Sequence, residues 1–315
     1  MLPTLRQLCH HFDLGSLHQA EPIEGGLIQS TWTVVAEQGS FVAQRLHPVF
    51  SAGVTEDGAA ISSRLQQHGI PTPHYLRTNS GDLHWREGPH LWRVMTCLPG
   101  RSFAQAPDLG YLKAAGEVVA HMHAALQDWD YSFHFGIPHF HDTPHIWGQL
   151  QTRADDLSTY PETDWLLETL PSLFLPTDLP RQIIHGDLKL TNFLFDQKGQ
   201  VTGLLDLDTC MRHSLYVEMG DALRSWGSEG ETFNLAKLDA ALQGYQDPLD
   251  PDLIRQGIGL ITLELATRFL IDVAEDSYWH WDPSRYPSRQ EHNLARCRRQ
   301  ICLFENLQQQ HWDPS

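Results

Sequence analysis

Basic residues are scarce in this chain: 22 Lys and Arg stand against 39 Asp and Glu, a formal charge of −17 over 315 residues. A surface this acidic repels a phosphate backbone, which argues against a nucleic-acid partner and leaves small cationic ligands among the compatible ones. Cysteine is scarce too. The five (Cys9, Cys97, Cys210, Cys297 and Cys302) are odd in number, scattered and without a C-x-x-C, which excludes a disulfide framework or a zinc ribbon and suits free thiols in a reducing compartment. No apolar run reaches membrane-spanning length. The start, MLPTLRQLCHHFDLG, has no basic segment followed by an apolar core, so neither a secretory signal nor a membrane partner is expected, and a cytoplasmic location is. Internal repeats and low-complexity tracts are missing as well. The length allows one large domain or two lobes.

The most informative stretch is Gln182 to Thr209, QIIHGDLKLTNFLFDQKGQVTGLLDLDT. It reads as a short apolar strand (Ile183, Ile184), a polar turn from His185 to Asn192, and then a hairpin. Phe193 to Phe195 forms one arm, Gln197-Lys198-Gly199 turns the chain, and Val201 to Leu205 returns it to Asp206-Leu207-Asp208. These groups suit phosphoryl transfer, in which the protein mainly positions an acceptor hydroxyl and holds divalent metal against phosphates. Asp187 and Asn192 have the spacing of the kinase catalytic loop, H-x-D-x-x-x-x-N, where the Asp takes the hydroxyl proton and the Asn ligates metal. Asp206, followed by Asp208, stands where the second metal-binding carboxylate belongs. Magnesium prefers such hard oxygen donors. The plainer alternative is a polar turn between strands that happens to carry carboxylates.

This stretch resembles the catalytic motif and following D-x-D of the aminoglycoside phosphotransferase and choline kinase family. Lys189 departs from that family's usual His or Phe and matches the D-L-K of protein kinases, where the Lys contacts the transferred phosphate. The resemblance implies an α+β, bilobal, protein-kinase-like fold. A small, β-rich nucleotide lobe would span residues 1–97 and a larger, mainly helical catalytic and acceptor lobe residues 98–315. ATP and Mg would be the cofactors and a small-molecule hydroxyl the acceptor.

Other segments fit that frame. Residues 1 to 20 suggest an amphipathic helix with Leu5, Leu8 and Phe12 on one side. The alternation of Trp32 and Val34, then Phe41 and Ala43, around Gln38-Gly39 predicts a hairpin. Before it lies a loop in which Gly25-Gly26 permits close backbone approach to phosphates and Gln29, Ser30 and Thr31 offer hydrogen-bond donors. The second strand should present a cation to the phosphates. Gln44 and Arg45 point to opposite faces, and Arg45 is the expected residue because its charge is fixed. Glu56 is the carboxylate expected to orient it. The strand ending at Met95 leads through Thr96-Cys97-Leu98 into a Pro99-Gly100 break, which is the hinge in a kinase-like fold, so Met95 and Cys97 are placed against adenine.

Beyond the hinge, Leu112, Ala115, Val119, Met122 and Leu126 recur at helical spacing. His139, His141 and His145 are expected as exposed residues of a structured loop rather than metal ligands. Asp221 resembles the residue that braces the catalytic loop in this family. Glu264, Arg268 and Asp272 form one polar stripe on an otherwise apolar helix, and a wet cleft is favoured over self-pairing.

Several further pieces resemble the N-acetylhexosamine 1-kinase branch: FVAQRLHPVF, WRVM, PHFHDT, LELATRFLIDV and HNLARCRRQ. That resemblance implies a sugar acceptor, with Arg224, Trp226, Arg268, Tyr278 and His292 near it together with Asp187. The glycine loop departs from the branch at Gly26-Leu27-Ile28-Gln29, so an aminoglycoside, homoserine or choline kinase, or a nucleotide-binding pseudokinase, stays open. So does the oligomeric state. A protein kinase is disfavoured because no A-P-E follows the metal-binding Asp.

Overall fold

The computed structural model describes residues 1–23 and 29–312. In chain order the elements are α1 (Leu2–His11), β1 (Leu17–Ile23), β2 (Ser30–Ala36), β3 (Gly39–Arg45), α2 (Gly53–Gln67), β4 (Trp85–Glu87), β5 (His90–Thr96), α3 (Leu109–Leu126), α4 (Thr143–Thr152), α5 (Pro161–Thr169), β6 (Arg181–Ile184), β7 (Phe193–Phe195), β8 (Val201–Leu204), β9 (Met211–Ser214), α6 (Leu215–Gly227), β10 (Ser228–Glu229), β11 (Thr232–Phe233), α7 (Leu235–Tyr245), α8 (Pro251–Glu275) and α9 (Arg289–Gln309). They fall into two compact units that interleave in sequence. The first comprises Met1–Phe103, His121–Ile137 and Thr191–Met211, and the second Ala104–Ala120, Pro138–Leu190 and Arg212–Ser315. The Cys97–Gly100 break, expected as the boundary between lobes, lies inside the first.

The first unit is built on a five-stranded antiparallel sheet in the order β1-β2-β3-β5-β4. Strand periodicity places alternate side chains on opposite faces. One face, with Trp32, Val34, Ala43, Trp92 and Val94, meets Leu5 and Leu8 of α1 and Phe12 just after it; the amphipathic helix that the sequence suggests ends at His11. The other carries Val42 and Met95, packed with Tyr75, Leu83 and Ala59 of α2. Asp57 on α2 is buried and accepts hydrogen bonds from the Tyr131 hydroxyl and the amides of His134 and Phe135, which secures the segment after α3. The β7–β8 hairpin completes the unit, turning through Gly199, whose φ of +78° suits glycine.

The second unit is helical apart from two small two-stranded pairs, β6 with β9 and β10 with β11. Its core surrounds α8, whose Leu260, Leu263, Leu270 and Val273 pack with Leu150, Leu166, Val217 and Phe304. Helices α6 and α8 approach at Gly220 and Gly257. A Cβ on Gly220 would meet the Gly257 backbone, and one on Gly257 the Tyr216 carbonyl, so only hydrogen permits this spacing.

Candidate active site

The residues of the second unit that matter most lie in the turn after β6. Gly186 has φ +81°, a left-handed conformation that reverses the chain there without Cβ strain. Three side chains grip the backbone of this turn. Glu218 on α6, itself 1 % exposed, accepts from the amides of both His185 and Gly186 at 2.7 Å. His141 Nε2 meets the Gly186 carbonyl at 2.9 Å, and the Trp226 indole N–H donates to the Leu188 carbonyl. The Asp187 amide donates to His185 Nδ1 at 3.3 Å. Buried backbone groups must find partners, so this clamp satisfies the turn and immobilises it together. From it projects the Asp187 carboxylate, about a quarter exposed, with Lys189 Nζ donating to Oδ2 at 2.6 Å. A carboxylate on a clamped turn, beside an ammonium, can orient a hydroxyl, accept its proton and offset charge on a transferring group.

Clamping of this kind revises four sequence expectations. Trp226 is buried, with its ring edge committed to the loop, and presents no face to a ligand. The bracing carboxylate is Glu218. Asp221, expected in that role, pairs with Arg224 at 2.8 Å, which engages that predicted acceptor residue as well. His141 is buried rather than exposed, whereas His139 and His145 do lie toward the surface, their rings stacked at 3.5 Å and 7°. With Asp142 they approach a metal-binding set, but no point lies in both of two parallel ring planes, so this arrangement does not suit a shared ion.

The polar stripe of α8 sends each member to partners outside the helix. Glu264 accepts from His141 and from the Thr143 hydroxyl. Asp272 accepts from the amides of Ser277, Tyr278 and Trp279 and from the Asn293 side chain, fixing the loop that follows the helix. Arg268, between them, is half-buried under the rings of Phe140, Tyr278 and Trp279, at 6.0, 5.9 and 5.3 Å. Tyr278 is 58 % exposed. His292 stacks on Tyr286 at 4.1 Å and accepts from the Asp282 amide. Burial and the nearby Arg296 depress its pKa.

In the first unit the Leu205 amide donates to the Asn192 carbonyl, and Phe193 pairs with Leu204. The hairpin thereby brings Asn192 and Asp206 to one end, 14 residues apart in sequence. Asp206 sits at φ 63°, ψ 56°, a conformation that costs a non-glycine residue roughly 1–2 kcal/mol. Strain of this kind persists where the surroundings hold it, here the hairpin end and the Asp208–Arg93 pair two residues on. An amide and a carboxylate, both hard oxygen donors, fit a magnesium ion that keeps further sites for phosphate and water.

Asp208 does not join them. It is 7 % exposed and makes paired bonds of 2.6 and 2.8 Å to Arg93 on β5. Gln29 donates to it at 3.1 Å while accepting from the His47 amide at 2.7 Å. Both oxygens of the carboxylate are engaged, so its expected role as a metal ligand gives way to that of an ion-pair partner. The same network settles the alternation on β3. Gln44 faces this side and accepts two bonds from Arg93. Arg45, the expected phosphate cation, points to the other face and donates to Ser30. The Thr31 hydroxyl accepts from Gln44.

Glu56 makes no hydrogen bond or ion pair among the described residues, so it does not orient Arg45 there. Met95 is buried against Tyr75, and the Cys97 amide donates to the Ser40 carbonyl at 3.4 Å. Gly25 and Gly26 lie outside the described residues. Arg93 is the residue missed in the sequence; the signal was a lone charge in an apolar strand, Leu91 to Met95, which demands a buried partner.

Comparisons with known proteins give the family and the fold. The profile described as Phosphotransferase enzyme family matches residues 19–252, and the chain belongs to that family. It is a phosphotransferase of the small-molecule kinase kind, for which ATP with a divalent metal is the typical cofactor pair. A homoserine kinase of Methylobacillus flagellatus is 26% identical over 318 residues, covering 96% of each chain. Homoserine kinase of Brucella ovis is 25% identical over 238 residues, covering 75% of this chain and 72% of its own. An amicoumacin kinase in complex with AMP-PNP and Ca2+ has a TM-score of 0.70 at 17% identity, covering 96% of this chain and 92% of its own. A microcompartment-associated aminopropanol kinase has a TM-score of 0.69 at 16% identity, covering 97% of both chains. The protein-kinase-like fold expected from the sequence is therefore present. No helix of the described residues is long and apolar enough to cross a membrane.

Proposed function

We propose that the protein transfers the γ-phosphate of Mg-ATP to a hydroxyl of a small polar metabolite, with a sugar as the first candidate acceptor. The observation carrying the kinase reading is the immobilised turn that presents Asp187 with Lys189 at 2.6 Å. In this mechanism Asp187 orients the acceptor hydroxyl and takes its proton, and Lys189 leaves the carboxylate to follow charge developing on the transferring group. Asn192 and Asp206 hold the metal, which neutralises phosphate charge when bound. Arg93 and Gln44 keep the turn carrying Asp206 in place through Asp208. The segment holding Gln29, Ser30 and Thr31 contributes to the phosphate side, and the hinge near Met95 and Cys97 to the adenine side.

The sugar reading is supported by the pattern shared with the hexosamine kinase branch. Arg268, Asp272, Tyr278 and Asn293 belong to one connected assembly, as residues selected together for one pocket would. Arg268 would bind acceptor hydroxyls or a carboxylate, with Tyr278 offering an aromatic face. A second reading is favoured by the homoserine kinases of Methylobacillus flagellatus and Brucella ovis, and by the same guanidinium, which suits an amino-acid carboxylate. Choline and aminoglycosides are disfavoured because their cationic groups would meet Arg268.

ADP release with ATP and magnesium, measured over free sugars including N-acetylhexosamines beside homoserine, choline and an aminoglycoside, tests both readings. Turnover on one sugar, lost in Asp187→Ala, establishes the first. Turnover on homoserine alone establishes the second. Tight ATP binding with silence on every acceptor counts against both and favours a nucleotide-binding module.

A further inference from the structure

His141 is a buried histidine whose two ring nitrogens both face oxygen. Nδ1 lies 3.1 Å from Glu264 Oε1 and Nε2 lies 2.9 Å from the Gly186 carbonyl, in a side chain only 6 % exposed. A carbonyl oxygen can only accept, and so can an ionised carboxylate, so a ring with acceptors on both sides needs a proton on each nitrogen. The second oxygen of Glu264 takes the Thr143 hydroxyl, and Arg268 stands four residues along α8. Both favour the charged carboxylate. Other groups facing the pair are Asp221 from α6, whose charge supports the imidazolium, and His213 from β9, which burial and Arg181 keep neutral. The ion pair is isolated from water and ends directly on the peptide preceding Asp187.

We propose that His141 is a positioning residue: a buried imidazolium, ion-paired to Glu264, that holds the Gly186 carbonyl and so fixes the orientation of the Asp187 carboxylate. This rests on the kinase reading of Asp187. Glu218 grips the amide side of the Gly186 turn and His141 its carbonyl side, so the turn is held between a buried anion and a buried cation on opposite edges. Loss of the His141 proton would leave a lone pair facing an oxygen, releasing one edge while Glu218 keeps the other. The turn would persist, with Asp187 free to rotate. Burial works against the imidazolium, and the charge of Glu264 overcomes it, raising the pKa to about 9. The expected consequence is an alkaline limb on kcat that follows His141 rather than Asp187.

The deciding measurement is nitrogen NMR of the imidazoles in the full-length 15N-labelled protein between pH 6 and 10, with the Asp187 amide followed in the same samples. Both nitrogens of His141 should be protonated at pH 7.5, and the Asp187 amide should shift along the same curve as the ring loses its proton. A neutral His141 ring at pH 7.5, or an Asp187 amide indifferent to its titration, overturns the proposal. Neither result requires turnover, so a chain silent on every acceptor would defeat the kinase reading while this experiment still decided the state of His141.

Kinetics of Glu264→Gln supply the functional arm. Removing the counter-charge should move the alkaline limb of kcat toward neutrality and lower kcat at pH 7.5 by about 10-fold or more, with the ATP KM within about 2-fold, as expected when a reacting group is merely misplaced. An unshifted profile in folded Glu264→Gln overturns the positioning role. Glu264→Asp, which keeps the charge, should restore part of the limb.

Discussion

Arg93 and Asp208, 115 residues apart in sequence, share two hydrogen bonds of 2.6 and 2.8 Å in a setting almost closed to water. Burial opposes the charge on Arg93, and the Asp208 carboxylate more than restores it, leaving the guanidinium pKa raised. Removing one member strands the other without solvent. Arg93→Met should therefore destabilise the protein by about 3–5 kcal/mol, and Arg93→Met with Asp208→Leu by distinctly less. Urea unfolding of the three chains measures this. Equal losses in the single and double variants would contradict it.

Asp187→Ala should abolish acceptor-dependent ADP release and leave ATP affinity nearly unchanged, because the turn stays clamped by Glu218 and His141. Isothermal titration beside a coupled assay separates the two effects. Retained turnover with weakened ATP binding would place Asp187 on the nucleotide rather than the acceptor.

Asp206→Ala should remove the magnesium dependence of nucleotide binding. The left-handed backbone at Asp206 would then carry strain without benefit, so Asp206→Gly should be the more stable variant, by roughly 1 kcal/mol. Nucleotide titrations with and without magnesium, and thermal melts of both variants, test the pair of claims.

Glu218→Ala should cost several kcal/mol, since two buried amide donors lose their acceptor at about 1–3 kcal/mol each. Glu218→Gln keeps one oxygen acceptor and should recover part of that. Equilibrium unfolding of both variants would show whether the ranking holds.

Stability should peak near neutral pH. His141 has a pKa raised to about 9, so its contribution is complete below its ordinary value of 6.5 and disappears as pH climbs through 9. His213 is depressed to about 4, burial being the main cause. Its neutral form supports folding above 6.5, and that support is lost as pH falls toward 4. Glu264 and Asp272, whose pKa values are lowered by His141 and by three loop amides respectively, lose their contributions further on the acid side. Unfolding midpoints from pH 4 to 10 should trace this dome, and in His141→Gln the alkaline shoulder should flatten.

The parts of the site that could be read from the chain are those whose partners lie close in sequence. Asp187 and Lys189 share one turn, Asn192 and Asp206 are joined by one hairpin, and turn residues with strand alternation are enough to mark both pieces. The β2–β3 hairpin, the strand Leu91 to Met95 and α1 were legible for the same reason. The helix expected over residues 1 to 20, however, stops at His11, and residues 17–20 open β1, whose partner Ser30–Ala36 fixes it as a strand. What escaped depends on partners supplied from afar. Arg93 takes its meaning from Asp208, His141 from Glu264 at a separation of 123 residues, and Trp226 from a carbonyl 38 residues earlier. Periodicity can mark Arg93 as a charge in a buried strand, but the choice between Gln44 and Arg45 depends on which face α1 covers. Asp221 and Glu218 lie one helical turn apart on the same helix, and only the packing of α6 tells which of them reaches the loop.

The contact of Gly220 with Gly257 sets a limit of another kind. Helix α6 delivers Glu218 to one edge of the Asp187 turn, and α8 delivers Glu264, through His141, to the other. The gap between these two grips is the gap between two helix axes, and hydrogen atoms define it. A single methyl group on either glycine would force the two helices apart and displace Glu218 from Glu264 while removing no functional group. The placement of the Asp187 turn thus depends on residues with no functional group at all, and a search for disabling changes confined to polar side chains would overlook them.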